Sequence, residues 1–374
     1  MRARASPSKS FAEMRNSMGS VVGLDIGTTG VRAVETTTSA RAVTVRRAHA
    51  VPLASGTFSE GVLRDRTALV AALRQLWRHG RFRTRRASIV VGSHPAVLIR
   101  PATVDWLAAR ADMDAIVAVE ADKRLPVGTK NMYVDYHIAD VYDTTSEDGD
   151  VRTQASVAVV GVDKVTLEAI LDCVWEAGIR PSGVDVTAFA LARFINQASS
   201  GPGVVDAVVN LGATTVTMAA VVDKQFVAEL PFGQFAGENL TQDISLNLGI
   251  STEEAEALKL IDHSQPQHHP KYQPEDLHDV AQAISAWSTS LVRELHRGVS
   301  DMAHTLGMPV GRVWLTGGES RLPNLAPRLS AELGGSSRVA VLDPTAWVSH
   351  PEKLQAVTEK TDQDLTSAVA ASVR

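Results

Sequence analysis

The sequence predicts a two-lobed α/β fold with a small α+β subdomain inserted in the first lobe, on three observations. Residues 21–35 read VVGLDIGTTGVRAVE and residues 206–222 read DAVVNLGATTVTMAAVV. Each is a strand of β-branched and small apolar residues, a polar tip holding Gly and Thr, and a second strand leaving the tip. The two copies begin 185 positions apart (206 minus 21) in a chain of 374 residues, long enough for two separate cores. Further on, a strand over residues 312–316 runs into Gly317-Gly318 and a helix. Glycine lets a backbone close around an anion with no Cβ in the way, and such a tip can turn N–H groups and hydroxyls toward a phosphate. Two tips of this kind imply two related lobes closing on one polyphosphate.

Residues 1–20 carry Arg2, Arg4, Lys9 and Arg15 without an apolar stretch, which predicts a disordered extension rather than a secretory signal, with Met18 as an alternative start. The first lobe, 21–87, continues with a strand over 41–52 and a helix over 65–80, where Leu69, Val70, Leu73, Leu76 and Trp77 recur at helical spacing. Arg78, Arg81, Arg83, Arg85 and Arg86 follow; they read as a solvated loop, with an acidic partner or a lipid surface as the second reading. The inserted subdomain, 88–186, holds strands at 88–91 and 97–100, a helix over 112–123, an alternating strand over 132–142, a loop at 144–150 and a returning strand at 153–160. The second lobe, 187–350, adds a strand at 225–231 and a helix over 238–248. A second helix over 252–261 is capped by Ser251 or Thr252 and acidic in its first turn. A long helix over 274–306 stops at Gly307 and Pro309. The last strand, 312–316, and a helix over 322–333 complete this lobe, and 351–374 reads as a polar C-terminal tail outside any core.

Composition narrows the function classes. A net charge of −5 gives no case for nucleic-acid binding. No apolar run approaches the roughly 18 residues of a membrane span. The single cysteine, Cys173, excludes an intrachain disulfide and a multi-cysteine metal site, and beside Val174 and Trp175 it reads as a core residue. His263, His268, His269 and His278 lie in or beside a Gln- and Pro-rich stretch without metal-ligand spacing, and read as solvated. These features point to a cytoplasmic protein.

The order of strand, turn, interrupted lobe, second turn and strand-Gly-Gly-helix resembles the actin-like ATPase superfamily, with its ribonuclease H-like lobes. DIGTTG at 25–30 resembles its first phosphate loop, NLGATT at 210–215 its second, and VWLTGG at 313–318 its adenosine motif. Within the superfamily the chain is most similar to the PilM family of type IV pilus assembly proteins, over roughly 21–344. Four segments carry that closer resemblance. Ala118-Val119-Glu120-Ala121 precedes Pro126 and Val134-Asp135-Tyr136, and Ala177-Gly178-Ile179-Arg180-Pro181 leads to VDV at 184–186 and FALAR at 189–193. GENLT at 237–241 precedes EAEALK at 254–259, and LTGG at 315–318 precedes LPNL at 322–325.

The resemblance implies ATP and Mg²⁺ as cofactors. Asp25 would hold the metal, and Gly27, Thr28, Thr29 and Gly30 would present donors to the β- and γ-phosphates. Asn210, Gly212, Ala213, Thr214 and Thr215 would cradle them from the other side. Gly317 and Gly318 would let the backbone approach purine and ribose, with Glu256 and Lys259 meeting the adenosine or forming only a surface i,i+3 pair. Three departures stand out. Asn210 replaces the usual Asp and brings neither charge nor basicity. Thr187-Ala188 replaces a Glu-Pro pair, and Glu319 replaces a third glycine. Asp185 is a weak candidate for a catalytic base and reads better as a positioning residue of the interdomain connection. Hydrolysis would therefore be slow at most.

By the same resemblance the chain would be a nucleotide-binding scaffold. Its partner would be the cytoplasmic N-terminal segment of a PilN-like inner-membrane protein, placing it peripheral to that membrane; self-association is left open. Two alternatives from other classes are an FtsA-like filament-forming division protein and a small-molecule kinase of the superfamily. The first would need an amphipathic C-terminal helix, and Leu354, Val357, Leu365 and Val369 are sparse for one. The second would need a catalytic Asp before the second hairpin.

Overall fold

The computed structural model describes residues 20–373 except 40–41, 60, 93–96, 107–111, 126–128, 146–148, 197–199, 224, 232–234, 260, 262–271 and 362–363. The extension predicted at the N-terminus, Pro126, and His263, His268 and His269 lie outside the described residues, Ser20 of the extension excepted.

The first hairpin forms as its alternation dictates. β1 (Val21–Ile26) and β2 (Gly30–Thr38) pair antiparallel from Val21↔Thr36 to Ile26↔Val31, leaving a four-residue tip, Gly27 to Gly30. β3 (Val43–Pro52) extends the sheet, and a short hairpin, β4 (Phe58–Ser59) with β5 (Val62–Leu63), leads to α1 (Arg66–Gly80). Asp65 caps that helix by accepting the Ala68 N–H at 2.9 Å, and the predicted stripe, Leu69 to Trp77, is its buried face. β6 (Arg86–Val91) returns parallel to β1.

The inserted unit is a three-stranded antiparallel sheet: β7 (Val97–Asp105), β8 (Met132–Thr145) and β9 (Val151–Asp163), in order β7-β9-β8, with α2 (Met113–Arg124) across it. α3 (Lys164–Glu176) and β10 (Arg180–Val186) then rejoin the first lobe, β10 pairing parallel with β6. The predicted boundaries of 88 and 186 were therefore too wide. Both end strands belong to the first sheet, because a parallel neighbour comes from far along the chain and leaves no local trace.

α4 (Thr187–Ile195) crosses to the second sheet, where β11 (Val205–Leu211), β12 (Val216–Val222) and β13 (Gln225–Pro231) repeat the opening hairpin. α5 (Gly237–Leu248), α6 (Thr252–Lys259), α7 (Pro274–Leu306) and α8 (Leu325–Glu332) form this lobe's helices, with β14 (Val310–Thr316) and β15 (Arg338–Val341) between and after the last two. The sheet order is β13-β12-β11-β14-β15. Its two faces serve two cores. Val205, Ala207, Val209 and Leu211 pack under the lobe's own helices, whereas Val208, Ala219 and Val221 join the core of the first lobe.

The chain then returns to its start. β16 (Val348–Ser349) pairs with β3, giving the first sheet the order β10-β6-β1-β2-β3-β16, and α9 (Glu352–Thr361) packs on β3. α10 (Thr366–Ser372) has every residue buried against β1, β2 and α4. The segment expected to be a polar tail is a core helix instead. Its Thr, Ser and Ala side chains are small, so it sits almost on the sheet: a Cβ at Gly23 would fall 2.1 Å from the Ala368 carbonyl oxygen. Among the described residues no helix is long and apolar enough to cross a membrane.

Candidate functional site

The two tips have the same backbone geometry. Gly27 N–H donates to the Gly30 carbonyl at 3.0 Å, and Gly212 N–H donates to the Thr215 carbonyl at 3.0 Å. Each turn closes a four-residue loop between the paired ends Ile26↔Val31 and Leu211↔Val216. Glycine leaves room at the first position of each, against a movable side chain at Gly27 and against fixed backbone at Gly212. A Cβ would lie 2.6 Å from the Arg32 guanidinium at Gly27 and 2.8 Å from the Thr215 carbonyl oxygen at Gly212.

Both tips open into one cavity of about 770 Å³. It gathers Asp25, Gly27, Thr28 and Thr29 from the first lobe, and Asn210, Gly212, Ala213, Thr214 and Thr215 from the second. Glu256, Lys259, Gly317 and Gly318 line it as well. Of the predicted binding residues, Gly30 alone is absent from the cavity wall; its carbonyl closes the tip from behind. Asp185 is also outside. It is hydrogen-bonded to Arg193 and to the Val186 N–H at the start of α4. Thr187 does reach the wall, with its hydroxyl donated to the Val91 carbonyl at 3.0 Å.

Arg32 is a residue of the cavity wall that sequence reasoning missed. Its Nη1 donates to Asp25 Oδ2 at 3.0 Å and to the Gly30 carbonyl at 3.3 Å, and Nη2 reaches Thr29 Oγ1 at 3.3 Å. The guanidinium thus lies inside the first tip, with its buried Nε unpartnered. Burial raises the Asp25 carboxyl above its ordinary value, Arg32 works against that shift, and the charge of Asp364 adds to it. A divalent ion arriving with a nucleotide would compete with Arg32 for Asp25 and take its other ligands from phosphate and water oxygens. Asp25 is already paired to a cation, Asn210 is neutral, and no group of three or more His, Cys, Asp or Glu among the described residues could hold an ion.

On the other wall, Lys259 is only 1% exposed, so the Glu256–Lys259 pair is not a surface pair. Its ammonium donates to Glu319 Oε1 at 2.8 Å, Glu256 Oε2 at 2.7 Å and Thr241 Oγ1 at 3.0 Å. Glu319 turns inward to this lysine, and burial raises its carboxyl above the ordinary range while Lys259 pulls it down. The third-glycine position is thereby filled by the counterion of a buried cation. Gly317 sits at φ 89°, and a Cβ there would lie 2.3 Å from the Leu211 carbonyl oxygen, which demands glycine twice over. Its N–H and the Thr316 hydroxyl both donate to Asp364 Oδ2, at 2.7 and 2.9 Å. Asp364 Oδ1 accepts from Thr366 at the start of α10, so one carboxylate ties the Thr316-Gly317 turn to the helix that closes the first lobe.

The complex described as "PilM-PilN type IV pilus biogenesis complex" is similar in structure, with a TM-score of 0.78 and 22% identity over 96% of this chain and 99% of the other. Ethanolamine utilization protein EutJ from Carboxydothermus hydrogenoformans matches at a TM-score of 0.53 and 14% identity, covering 95% and 89%. These likenesses establish the two-lobed actin-like fold. The profile of the type IV pilus assembly protein PilM family matches residues 23–371, nearly the whole described chain, and the chain belongs to that family.

Proposed function

We propose that this protein is a nucleotide-binding scaffold of type IV pilus assembly, which clamps ATP between its lobes and holds the N-terminal segment of a PilN-like inner-membrane partner. The observation that carries the reading is the pair of matched tips facing one cavity. The N–H groups and hydroxyls of Thr28, Thr29, Ala213, Thr214 and Thr215 are the donors for a polyphosphate there. Arg32 supplies fixed positive charge, and Gly317-Gly318 with Glu256 meets the nucleoside. Mg²⁺ and Arg32 compete for Asp25 in this reading, so the metal strengthens binding without being indispensable to it.

The same cavity has an apolar wing lined by Leu53, Phe58, Val97, Val162, Leu167 and Ile170, where the first sheet meets the inserted unit. An apolar peptide segment fits such a wall, with edge backbone groups and side-chain pockets sharing recognition. Asn210 cannot serve as a base and Thr187 replaces a carboxylate, so nucleotide would stabilise closure rather than be consumed quickly.

The test is calorimetric titration of ATP into the chain in EDTA and in Mg²⁺, with phosphate release followed on the same samples. The reading expects binding in both and release far slower than a working ATPase. Rapid turnover, or no heat of binding in either buffer, refutes it. A synthetic partner N-terminal peptide, titrated into apo and ATP-loaded protein, should bind more tightly to the second.

A further inference from the structure

The end of the first sheet opposite the tips is an arginine surface. β6 and β10 run parallel to β1, so their first residues, Arg86 and Arg180, lie at the far end of the strands, roughly 17 Å from the cavity. The two are register partners on adjacent parallel strands and expose their side chains on one face. Arg180 N–H donates to the Arg85 carbonyl at 2.7 Å. The Arg85 guanidinium lies over the turn that ends α3, with a Cβ at Gly178 coming 3.7 Å from its Nη1. The same turn carries Trp175, which is 55% exposed and bonded through its carbonyl to the Gly178 N–H. α1 runs alongside α3, with Arg66 beside Asp172 and Arg74 beside Glu176, and continues beyond those pairs to the exposed Arg78 and Arg81.

Arg78, Arg81, Arg83, Arg85, Arg86 and Arg180 are exposed, and none forms an ion pair among the described residues. Two nearby carboxylates already have partners. Buried Glu35 accepts from Arg47 and from the Arg83 backbone N–H, and Glu176 takes Arg74. Like charges placed directly across two strands repel. Six unpaired guanidiniums in a chain of net charge −5 therefore make a local site for anions.

We propose that this end of the first lobe docks directly on an anionic phospholipid surface, its arginines on lipid phosphates and Trp175 at headgroup depth. Guanidiniums match phosphate oxygens in bidentate geometry, and an exposed Trp favours the membrane–water interface. The arginines are spread over a strand end rather than lining a groove, which suits a field of headgroups better than one extended acidic peptide. The docked protein presents its cavity on the side away from the bilayer.

The test is co-sedimentation of the full chain with phosphatidylglycerol–phosphatidylcholine vesicles and with pure phosphatidylcholine. Binding to the anionic vesicles alone, weakening with salt, is expected. Replacing Arg85→Gln, Arg86→Gln and Arg180→Gln together should lower that affinity about a hundredfold, at roughly fivefold per charge. A blue shift of tryptophan emission on the anionic vesicles should vanish in Trp175→Phe. All four side chains are exposed, and thermal unfolding of the variants at the wild-type midpoint checks their fold. No binding by the wild type, wild-type affinity in the triple variant, or capture of polyglutamate or duplex DNA with vesicles ignored would each overturn the proposal. ATP calorimetry on the triple variant should match wild type, which keeps this site separate from the cavity.

Discussion

Arg32 and Asp25 stand seven residues apart on one antiparallel hairpin, and their side chains meet inside its tip at 3.0 Å. The register Asp25↔Arg32 makes them direct cross-strand partners, so the pairing is written into the hairpin rather than assembled from distant elements. The carboxylate expected to recruit a cation has one built into the same turn.

Arg32→Ala should therefore have two effects. Affinity for ATP in EDTA should fall by roughly tenfold to a hundredfold, the scale of one or two charge-assisted hydrogen bonds. The residual binding should become Mg²⁺-dependent, because Asp25 is then free. Calorimetry in the two buffers checks both. Unchanged affinity in EDTA would remove Arg32 from the phosphate site.

Lys259→Met should destabilise the protein by roughly 3–5 kcal/mol, because Glu319 is left buried without its counterion. Adding Glu319→Leu should restore most of that loss. Urea unfolding of the single and double variants measures the coupling, and additive losses would show that the pair is not the reason for the cost.

Gly23→Val should cost at least about 2–3 kcal/mol, since the new Cβ meets backbone atoms of Ala368, Ala371 and Ser372 that cannot rotate away. Gly92→Ala, with nothing within 4 Å of its added methyl, is the control and should stay within about 0.5 kcal/mol. Equal midpoints for the two would contradict the close seat of α10 on β1.

His137 rests against Phe189 and Phe226, with a buried Nε2 that has no partner. Burial, and next the charge of Arg193, lower its pKa below the ordinary 6.5, with Asp185 opposing. The unfolded chain then binds more protons below pH 6.5, so stability is lost as pH falls from there through the folded value. His49 is shifted the same way by burial. Thermal midpoints should drop between pH 7 and 5, and His137→Phe should flatten that slope. An unchanged slope would remove His137 from the acid response.

Local pattern was enough for much of this fold. Both hairpins, the stripe on α1 and the stop of α7 at Gly307 obey short-range rules that a reader of the sequence can apply. Arg32 escaped because an arginine at an alternating strand position looks like a solvent-facing residue. Only the register shows that its neighbour is Asp25. α10 escaped for the opposite reason. Burial usually announces itself by large apolar side chains, whereas TSAVAAS is buried by closeness, with small residues letting a helix lie against a glycine. Asp364 and Glu319 are polar residues whose meaning lies in partners 47 and 60 positions away.

The seating of α10 on β1 also bears on how the chain reaches its native state. A strand begun at Val21 has its covering helix supplied only at Thr366–Ser372, after the entire second lobe has been made. The first lobe cannot finish folding on the ribosome ahead of the second, and such distant closure slows the search. Cutting the chain between the lobes would give one fragment with an uncovered sheet and another with an orphaned helix. The two halves of this clamp are separable to the eye but not to the folding reaction.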